Sequence, residues 1–185
     1  TKISQLLKEK YPDVIWLVDA VSSMCGIKIE VDKLGIDFLL SSTQKAWGLP
    51  AGFSICSVSD RLLTISKDIL NKGYFLDLHT YEKYYLKNQT PTTPSIPHMY
   101  ALKKMIKKIN DEGLENRWQR HKDMAKVVRE WTISHNQGFF TKNDALSFTL
   151  TCIKNVKEWD INTINEKLLS KGYRMDRGYG KYQGI

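Results

Sequence analysis

The chain has 185 residues, a formal net charge of +8 and 42% hydrophobic residues, which is typical of a globular protein of one or two small domains. The 11% aromatic content excludes a disordered chain, and no apolar run approaches the roughly 20 residues that a membrane span needs. The first residues lead directly into a Lys-rich helical pattern, so we expect no secretory signal. Cys25, Cys56 and Cys152 lack metal-binding spacing, which favours reduced thiols and a cytoplasmic location.

Nine of the 28 lysines and arginines lie in two predicted amphipathic helical stretches, residues 103–108 and 117–129, beside apolar positions. No zinc-finger, helix-turn-helix or RNA-binding motif accompanies them, so we interpret these cations as a solvated helix face. We therefore expect neither a nucleic-acid partner nor a membrane partner. The histidines are widely spaced, and no metal site is expected.

Three short apolar segments predict β-strands at residues 14–20, 37–42 and 53–58. The first two are almost entirely apolar, which is typical of strands covered on both faces in an α/β sheet. A short helix or turn over residues 30–35 connects them, so we predict a strand–crossover–strand unit. Ligands of such sheets bind at the carboxyl ends of the strands, where Asp19 and residues 41–45 fall.

The composition changes after a predicted helix over residues 61–70. Residues 74–87 are aromatic and polar, and residues 88–97 then carry three prolines. Proline at this density is incompatible with a helix interior or a central strand. We predict an ordered loop or a domain junction there.

The second half of the chain is predicted to begin with long helices and to end in a small α+β unit. Helical periodicity extends over residues 96–133, with Gly113 as the expected break. Residues 147–153 alternate as a strand, and residues 161–170 form a short amphipathic helix that Gly172 would cap.

A lysine and an aspartate form the strongest candidate site. Lys45 directly follows a predicted buried strand, in the hydroxyl-rich turn of residues 41–52, and Asp19 ends another strand 26 positions earlier. Lysine is rarely buried unless it forms an ion pair or takes part in a reaction. Taken alone, this pair is explained equally well by a structural salt bridge or an exposed lysine.

Several segments resemble the class V pyridoxal-phosphate aminotransferases, in particular the alanine–glyoxylate and serine–pyruvate branch. The two most specific are residues 18–27 (VDAVSSMCGI) and residues 37–46 (DFLLSSTQKA), with the glycines that follow. Further similar segments are residues 90–96 (TPTTPSI), 112–121 (EGLENRWQRH) and 178–180 (GYG). The resemblance implies fold type I, a homodimer with shared active sites, and pyridoxal 5′-phosphate as cofactor. It also implies transfer of an amino group between alanine or serine and glyoxylate or pyruvate.

The resemblance implies catalytic roles for Lys45 and Asp19. Lys45 would form the internal aldimine with the cofactor aldehyde, and its freed amine would then move a proton at the substrate α-carbon. Desolvation beside a cationic cofactor would lower the pKa of this lysine. Asp19 would pair with the protonated pyridine nitrogen and keep the ring cationic.

The remaining site residues implied by the resemblance would contact the ring face and the phosphate. Val21 would lie against one face of the ring, although a plain core valine explains it equally well. Thr43 and Gln44 could donate hydrogen bonds to the cofactor phosphate. Thr93, and with less support Thr90, would reach the phosphate in the neighbouring subunit, while a domain hinge remains an equal explanation for their loop.

The resemblance also implies a fragment of a larger protein. Residues 1–87 would be the C-terminal half of the large cofactor-binding domain, residues 88–97 a loop, and residues 98–185 the connecting helices and most of the small domain. The ring-stacking aromatic residue and the substrate-binding arginine would lie outside the chain. We expect the segment alone to be inactive.

Three alternatives stay open at this point. Cysteine desulfurases share the fold, but a histidine precedes their lysine, where this chain has Gln44, and they need a mobile cysteine nucleophile. A decarboxylase or aldolase could use the same cofactor. A non-catalytic remnant could have kept the fold.

Overall fold

A three-stranded sheet organises the first part of the chain in the computed structural model, which describes residues 1–183. Its strands are β1 (Leu17–Asp19), β2 (Phe38–Ser42) and β3 (Ser54–Val58), in the order β1-β2-β3. β1 and β2 are parallel, whereas β2 and β3 are antiparallel. The predicted α/β class and the predicted strand–crossover–strand unit are confirmed.

Seven α-helices accompany the strands. They are α1 (Lys2–Lys10), α2 (Val31–Leu34), α3 (Asp60–Ser66), α4 (Leu78–Tyr85), α5 (Ile96–Glu112), α6 (Leu114–Ser134) and α7 (Ile161–Ser170) among the described residues. None of the helices in residues 1–183 combines the length and apolar character needed to cross a membrane.

A small apolar core fixes the crossover between β1 and β2. Ala20, Ile36 and Leu39 are buried together, and half-buried side chains from the crossover pack against them. Leu39, the second residue of β2, points into this core because alternate strand residues face opposite sides of the sheet. The core therefore packs the end of β1 against the start of β2.

The expected cover on both faces of the sheet is wrong for this chain. Within residues 1–183, β2 alone is flanked by a strand on each side, and its Leu39 and Ser41 are buried. Leu17 on β1 remains 62% exposed. An edge strand has one neighbour and loses less of its surface, so its apolar composition alone does not ensure burial.

Helix boundaries follow from capping and from glycine. Ser59 caps α3 by accepting a hydrogen bond from the Leu62 amide, and α3 ends four residues before the predicted limit of residue 70. Asp77 caps α4, a helix that the aromatic composition of residues 74–87 did not predict. Gly113, with a φ of 82°, separates α5 from α6 as predicted.

The chain divides into two compact units, Thr1–His121 and Lys122–Ile185. This division falls within α6, not at the proline-rich loop of residues 88–97, which lies inside the first unit. The assignment of residues 1–87 and 98–185 to a large and a small domain stays a prediction.

The second unit contains a two-stranded antiparallel ladder of β4 (Gly138–Phe139) and β5 (Ile153–Lys154), together with α7. The predicted strand over residues 147–153 is therefore mostly wrong. The predicted helix over residues 161–170 is confirmed, and Asp160 caps it by accepting hydrogen bonds from the Asn162 and Thr163 amides.

Candidate functional site

The ends of β1 and β2 place the predicted aspartate and lysine at one edge of the sheet. Asp19 is the last residue of β1 and pairs with Leu40 of β2. β2 ends at Ser42, and Lys45 lies three residues farther along the chain. Since the two strands are parallel, both carboxyl ends lie at the same edge, where ligands of α/β sheets bind.

A short local turn orients the carboxylate of Asp19. Its Oδ1 accepts a hydrogen bond of 2.9 Å from the amide of Val21, an arrangement typical of an Asx turn. Asp19 is exposed and Val21 is half-buried. The carboxylate is thus held at the strand end and is accessible from solvent.

Lys45 is also exposed in this chain. Among residues 1–183 no ion pair joins it to Asp19, so the structural salt bridge considered above is not formed. The desolvated site expected for Lys45 is not formed within residues 1–183, and it stays a prediction for the whole protein. The physical reason is that Lys45 lies in a turn past the end of its strand, beyond the apolar core.

Thr43 holds the lysine turn closed from inside. It is fully buried, and its hydroxyl donates a hydrogen bond of 2.7 Å to the Pro50 carbonyl. Its backbone carbonyl accepts from the Leu49 amide at 3.0 Å. Because the hydroxyl proton is already used, the geometry does not favour the predicted contact of Thr43 with a phosphate.

The side chains of Gln44 and Trp47 differ in their exposure and in their hydrogen-bond partners. Gln44 is exposed, and its side-chain oxygen accepts a hydrogen bond from the Ser42 hydroxyl. The indole Nε1 of Trp47 donates instead to the buried hydroxyl of Ser41 at 3.1 Å. Gln44 is therefore the predicted phosphate-binding residue of this turn that remains accessible to a ligand.

The two threonines of the proline-rich loop are both exposed. The hydroxyl of Thr90 donates to the Thr92 carbonyl at 2.8 Å, and the Tyr74 hydroxyl donates to the Pro91 carbonyl at 2.9 Å. The loop is thus ordered by its own hydrogen bonds. Thr93 projects from an ordered loop, which is compatible with its predicted contact across a dimer.

His98 connects the start of α5 to the lysine turn, a contact that its sequence spacing did not indicate. Its Nε2 lies 3.0 Å from the Ala51 carbonyl, and its ring stacks on Phe53 at a centroid distance of 5.2 Å. The end of the proline-rich loop is consequently fixed next to the turn that carries Lys45.

Arg117 is the functional candidate that the sequence interpretation missed, since it was assigned to a solvated helix face. It is only 8% exposed. Its guanidinium donates to the Cys25 carbonyl at 3.2 Å and to the Ala46 carbonyl at 2.5 Å. Residues 112–121 are one of the segments that carry the family resemblance. Helical periodicity, however, does not distinguish Arg117 from its exposed neighbours.

Glu112 supplies the counter-charge for Arg117. Its carboxylate accepts from Arg120 Nε at 2.6 Å and from Arg117 Nη1 at 2.9 Å. The hydrogen bond from Arg120, opposed by burial and reinforced by Arg117, lowers the pKa of Glu112 to about 2. This carboxylate is therefore ionised over the whole physiological range.

A cavity of about 470 Å³ lies within the first unit, between the sheet and the long helices. Its lining is mainly apolar and includes Leu39, Ile55, Ile109 and Trp118. An apolar lining without convergent charges does not suit a phosphorylated ligand. The exposed strand ends instead carry an amine and a carboxylate, groups that can bind a ligand covalently and ionically.

Comparisons with known proteins identify the family of the chain. The aminotransferase class-V family model matches residues 1–170. The chain is 37% identical over 155 residues to an uncharacterized aminotransferase of Methanocaldococcus jannaschii, covering 83% of this chain and 40% of that protein. It is 38% identical over 121 residues to serine–glyoxylate aminotransferase of Arabidopsis thaliana, covering 65% of this chain and 30% of that protein.

The fold is similar to that of a solved structure, alanine–glyoxylate aminotransferase from Nostoc sp. The TM-score is 0.87 at 26% identity, over 98% of this chain and 49% of that chain. The chain thus spans half or less of the length of the proteins it matches. It belongs to the class-V aminotransferase family, which has fold type I and uses pyridoxal 5′-phosphate.

Proposed function

We propose that the chain is the lysine-bearing part of an aminotransferase that moves an amino group between alanine or serine and glyoxylate or pyruvate. The observation that carries this proposal is the location of Asp19 and Lys45 at the carboxyl ends of two adjacent parallel strands. In a class-V aminotransferase, this pair provides the amine and the carboxylate that the cofactor requires.

The residues at this edge of the sheet fit pyridoxal phosphate chemically. Lys45 offers an accessible primary amine for an aldehyde, and the fixed carboxylate of Asp19 suits a protonated ring nitrogen. Gln44 offers a side-chain amide to a phosphate oxygen. When bound, the cofactor supplies an electron-withdrawing ring that acidifies the α-carbon of an attached amino acid.

Lys45 would act as the base and then as the acid of the reaction. In its neutral form its Nζ would take the proton from the substrate α-carbon and would then deliver that proton to the cofactor. A desolvated site favours a neutral amine, and the side chain of Lys45 is exposed in this chain. We propose that the rest of the protein and the bound cofactor supply that cover.

Asp19 would act through the negative charge of its carboxylate. The Val21 amide holds Oδ1, and this fixes the direction from which the carboxylate meets a cationic ring nitrogen. Such a pre-oriented charge stabilises the ring proton without reorganisation during the reaction. Val21 itself is half-buried next to the strand end and would limit the position of the ring.

We further propose a cytoplasmic homodimer in which Thr93 and Thr90 reach the phosphate bound in the other subunit. Both threonines are exposed on an ordered loop, which supports such a contact. The choice of alanine or serine and of glyoxylate rests on the names of the relatives, and the choice of pyruvate rests on the resemblance of the sequence. A cysteine desulfurase is less well supported, because Gln44 precedes the lysine and burial raises the pKa of the Cys25 thiol, which makes it a weak nucleophile.

The test uses the full-length protein and its Lys45→Arg variant, with Lys87→Arg as the matched control at an exposed lysine. We expect the wild type and the control to bind pyridoxal phosphate with a visible absorbance band. Borohydride reduction followed by peptide mapping should then locate the cofactor on Lys45. Half-reactions with a panel of amino acids would define the donors. A wild-type protein that takes up no cofactor, or that releases sulfur from cysteine, contradicts the proposal.

A further inference from the structure

We propose that Arg117 is a positioning residue that fixes the loop after Asp19 and the turn after Lys45 relative to each other. The proposal rests on the proposed function, since it concerns the same two groups. It adds a residue from α6, about 70 positions beyond the lysine, to the machinery of the site.

The geometry of the guanidinium carries the argument. Its Nε donates to the Cys25 carbonyl at 3.2 Å, in the loop that follows Asp19. Its Nη2 donates to the carbonyl of Ala46, the residue directly after Lys45, at 2.5 Å. One rigid planar group therefore ties together the two segments that carry the aspartate and the lysine.

Burial makes these bonds strong and costly to lose. Arg117 is 8% exposed, and Glu112 balances its charge through a contact of 2.9 Å. Hydrogen bonds that involve a charged donor are roughly twice as strong as neutral ones. Without the guanidinium, the carbonyls of Cys25 and Ala46 would have to find other donors.

The loop after Asp19 has an unusual backbone conformation that this contact supports. Cys25 has a φ of 73°, in the left-handed region that residues other than glycine rarely adopt. Such a conformation persists only where the surrounding structure fixes it. The hydrogen bond from Arg117 to the Cys25 carbonyl is one of the contacts that do so.

The turn after Lys45 is held close to the lysine itself. The Gly48 amide donates to the Lys45 carbonyl at 2.9 Å, so Lys45 to Gly48 form a closed turn. Arg117 binds the Ala46 carbonyl inside this turn. Loss of that bond would allow the backbone of Lys45 to shift relative to Asp19, and misplacement of a reacting group by about 1 Å can reduce a rate roughly 100-fold.

The experiment compares Arg117→Met with Arg120→Met in the full-length, cofactor-loaded protein. Arg120 is a matched control because it binds the same carboxylate, Glu112, from the same helix. The readouts are the dissociation constant of pyridoxal phosphate, the pH titration of its visible band, and amide hydrogen exchange of residues 20–27 and 45–52 in the cofactor-free protein. Arg117→Lys tests rescue, because lysine keeps the charge but cannot bond both carbonyls with one rigid group.

For Arg117→Met we expect at least tenfold weaker cofactor binding, a shifted titration and faster exchange in both segments. Arg120→Met should stay within twofold of the wild type, and Arg117→Lys should be intermediate. If Arg117→Met does not fold, Arg117→Lys decides by the same readouts. A folded Arg117 variant with wild-type affinity, titration and exchange overturns the proposal. A wild type without a cofactor band contradicts the proposed function instead, while the exchange data on the cofactor-free protein still test the tie between the two segments.

Discussion

The carboxylate of Asp37 accepts a hydrogen bond of 2.9 Å from the hydroxyl of Ser59, the residue that caps α3. Its other oxygen accepts from the amide of Trp16 at 2.9 Å, just before β1. Asp37 precedes β2 and is buried, so one carboxylate links the starts of β1, β2 and α3. This link connects the starts of β1 and β2, the strands that lead to Asp19 and to the turn of Lys45.

We predict that Asp37→Ala lowers the free energy of unfolding of the full-length protein by about 3 kcal/mol, because it removes a buried carboxylate and leaves two half-buried donors without a charged acceptor. Asp32→Ala, at an exposed position on α2, should change it by less than about 0.5 kcal/mol. Urea denaturation of both variants measures the difference. Equal stability of the two variants would show that the buried carboxylate is unimportant.

Gly52 is predicted to be intolerant of a side chain. Its φ is 150°, and an added Cβ would lie 2.6 Å from Nε2 of His98. Gly52→Ala should therefore lower the free energy of unfolding by about 2 kcal/mol, in part because of backbone strain and in part because the imidazole of His98 is displaced. Thermal unfolding of Gly52→Ala, His98→Ala and the double variant separates the two causes. If the clash matters, the double variant loses less stability than the sum of the single losses.

The lowered pKa of Glu112 makes its contribution to the stability of the fold depend on pH. Its pKa is about 2 in the folded chain against 4.5 as the ordinary value, so its contribution is fully present above pH 4.5 and is lost as the pH falls toward 2. We expect the melting temperature of Glu112→Gln to lie below that of the wild type at neutral pH, with the gap closing between pH 4.5 and 2. Glu115→Gln serves as the control, since Glu115 forms no ion pair within residues 1–183. A gap that is independent of pH would contradict this prediction.

Asp19→Asn tests the carboxylate at the end of β1. Asparagine keeps the shape of the side chain and can still accept a hydrogen bond from the Val21 amide, but it removes the charge opposite the proposed ring nitrogen. We expect kcat of the full-length protein to fall about 100-fold or more, with little change in melting temperature, because the loss concerns charge stabilisation in the reaction. Steady-state kinetics and thermal unfolding check the two parts. A variant with wild-type kcat would exclude Asp19 from the reaction.

The strands and helices that local sequence determines were the predictable part of the fold. The apolar segments before Asp19 and Ser42 predicted β1 and β2, and Gly113 predicted the break between α5 and α6, because strand formation and helix termination depend on nearby residues. The strand expected over residues 147–153 failed because alternation alone does not specify a pairing partner. The observed ladder pairs Ile153 with Phe139, far away in sequence.

For the candidate site, the sequence alone determined the chemistry: an amine at Lys45, a carboxylate at Asp19, and both at strand ends. Only the tertiary structure decided that β1 and β2 are parallel neighbours, that Thr43 uses its hydroxyl inside the turn, and that Arg117 binds the two segments that carry the pair. Residue types and spacing encode which groups are present and which local elements form. The partner of a buried guanidinium or hydroxyl depends on segments that folding brings together from distant positions, which no local pattern records.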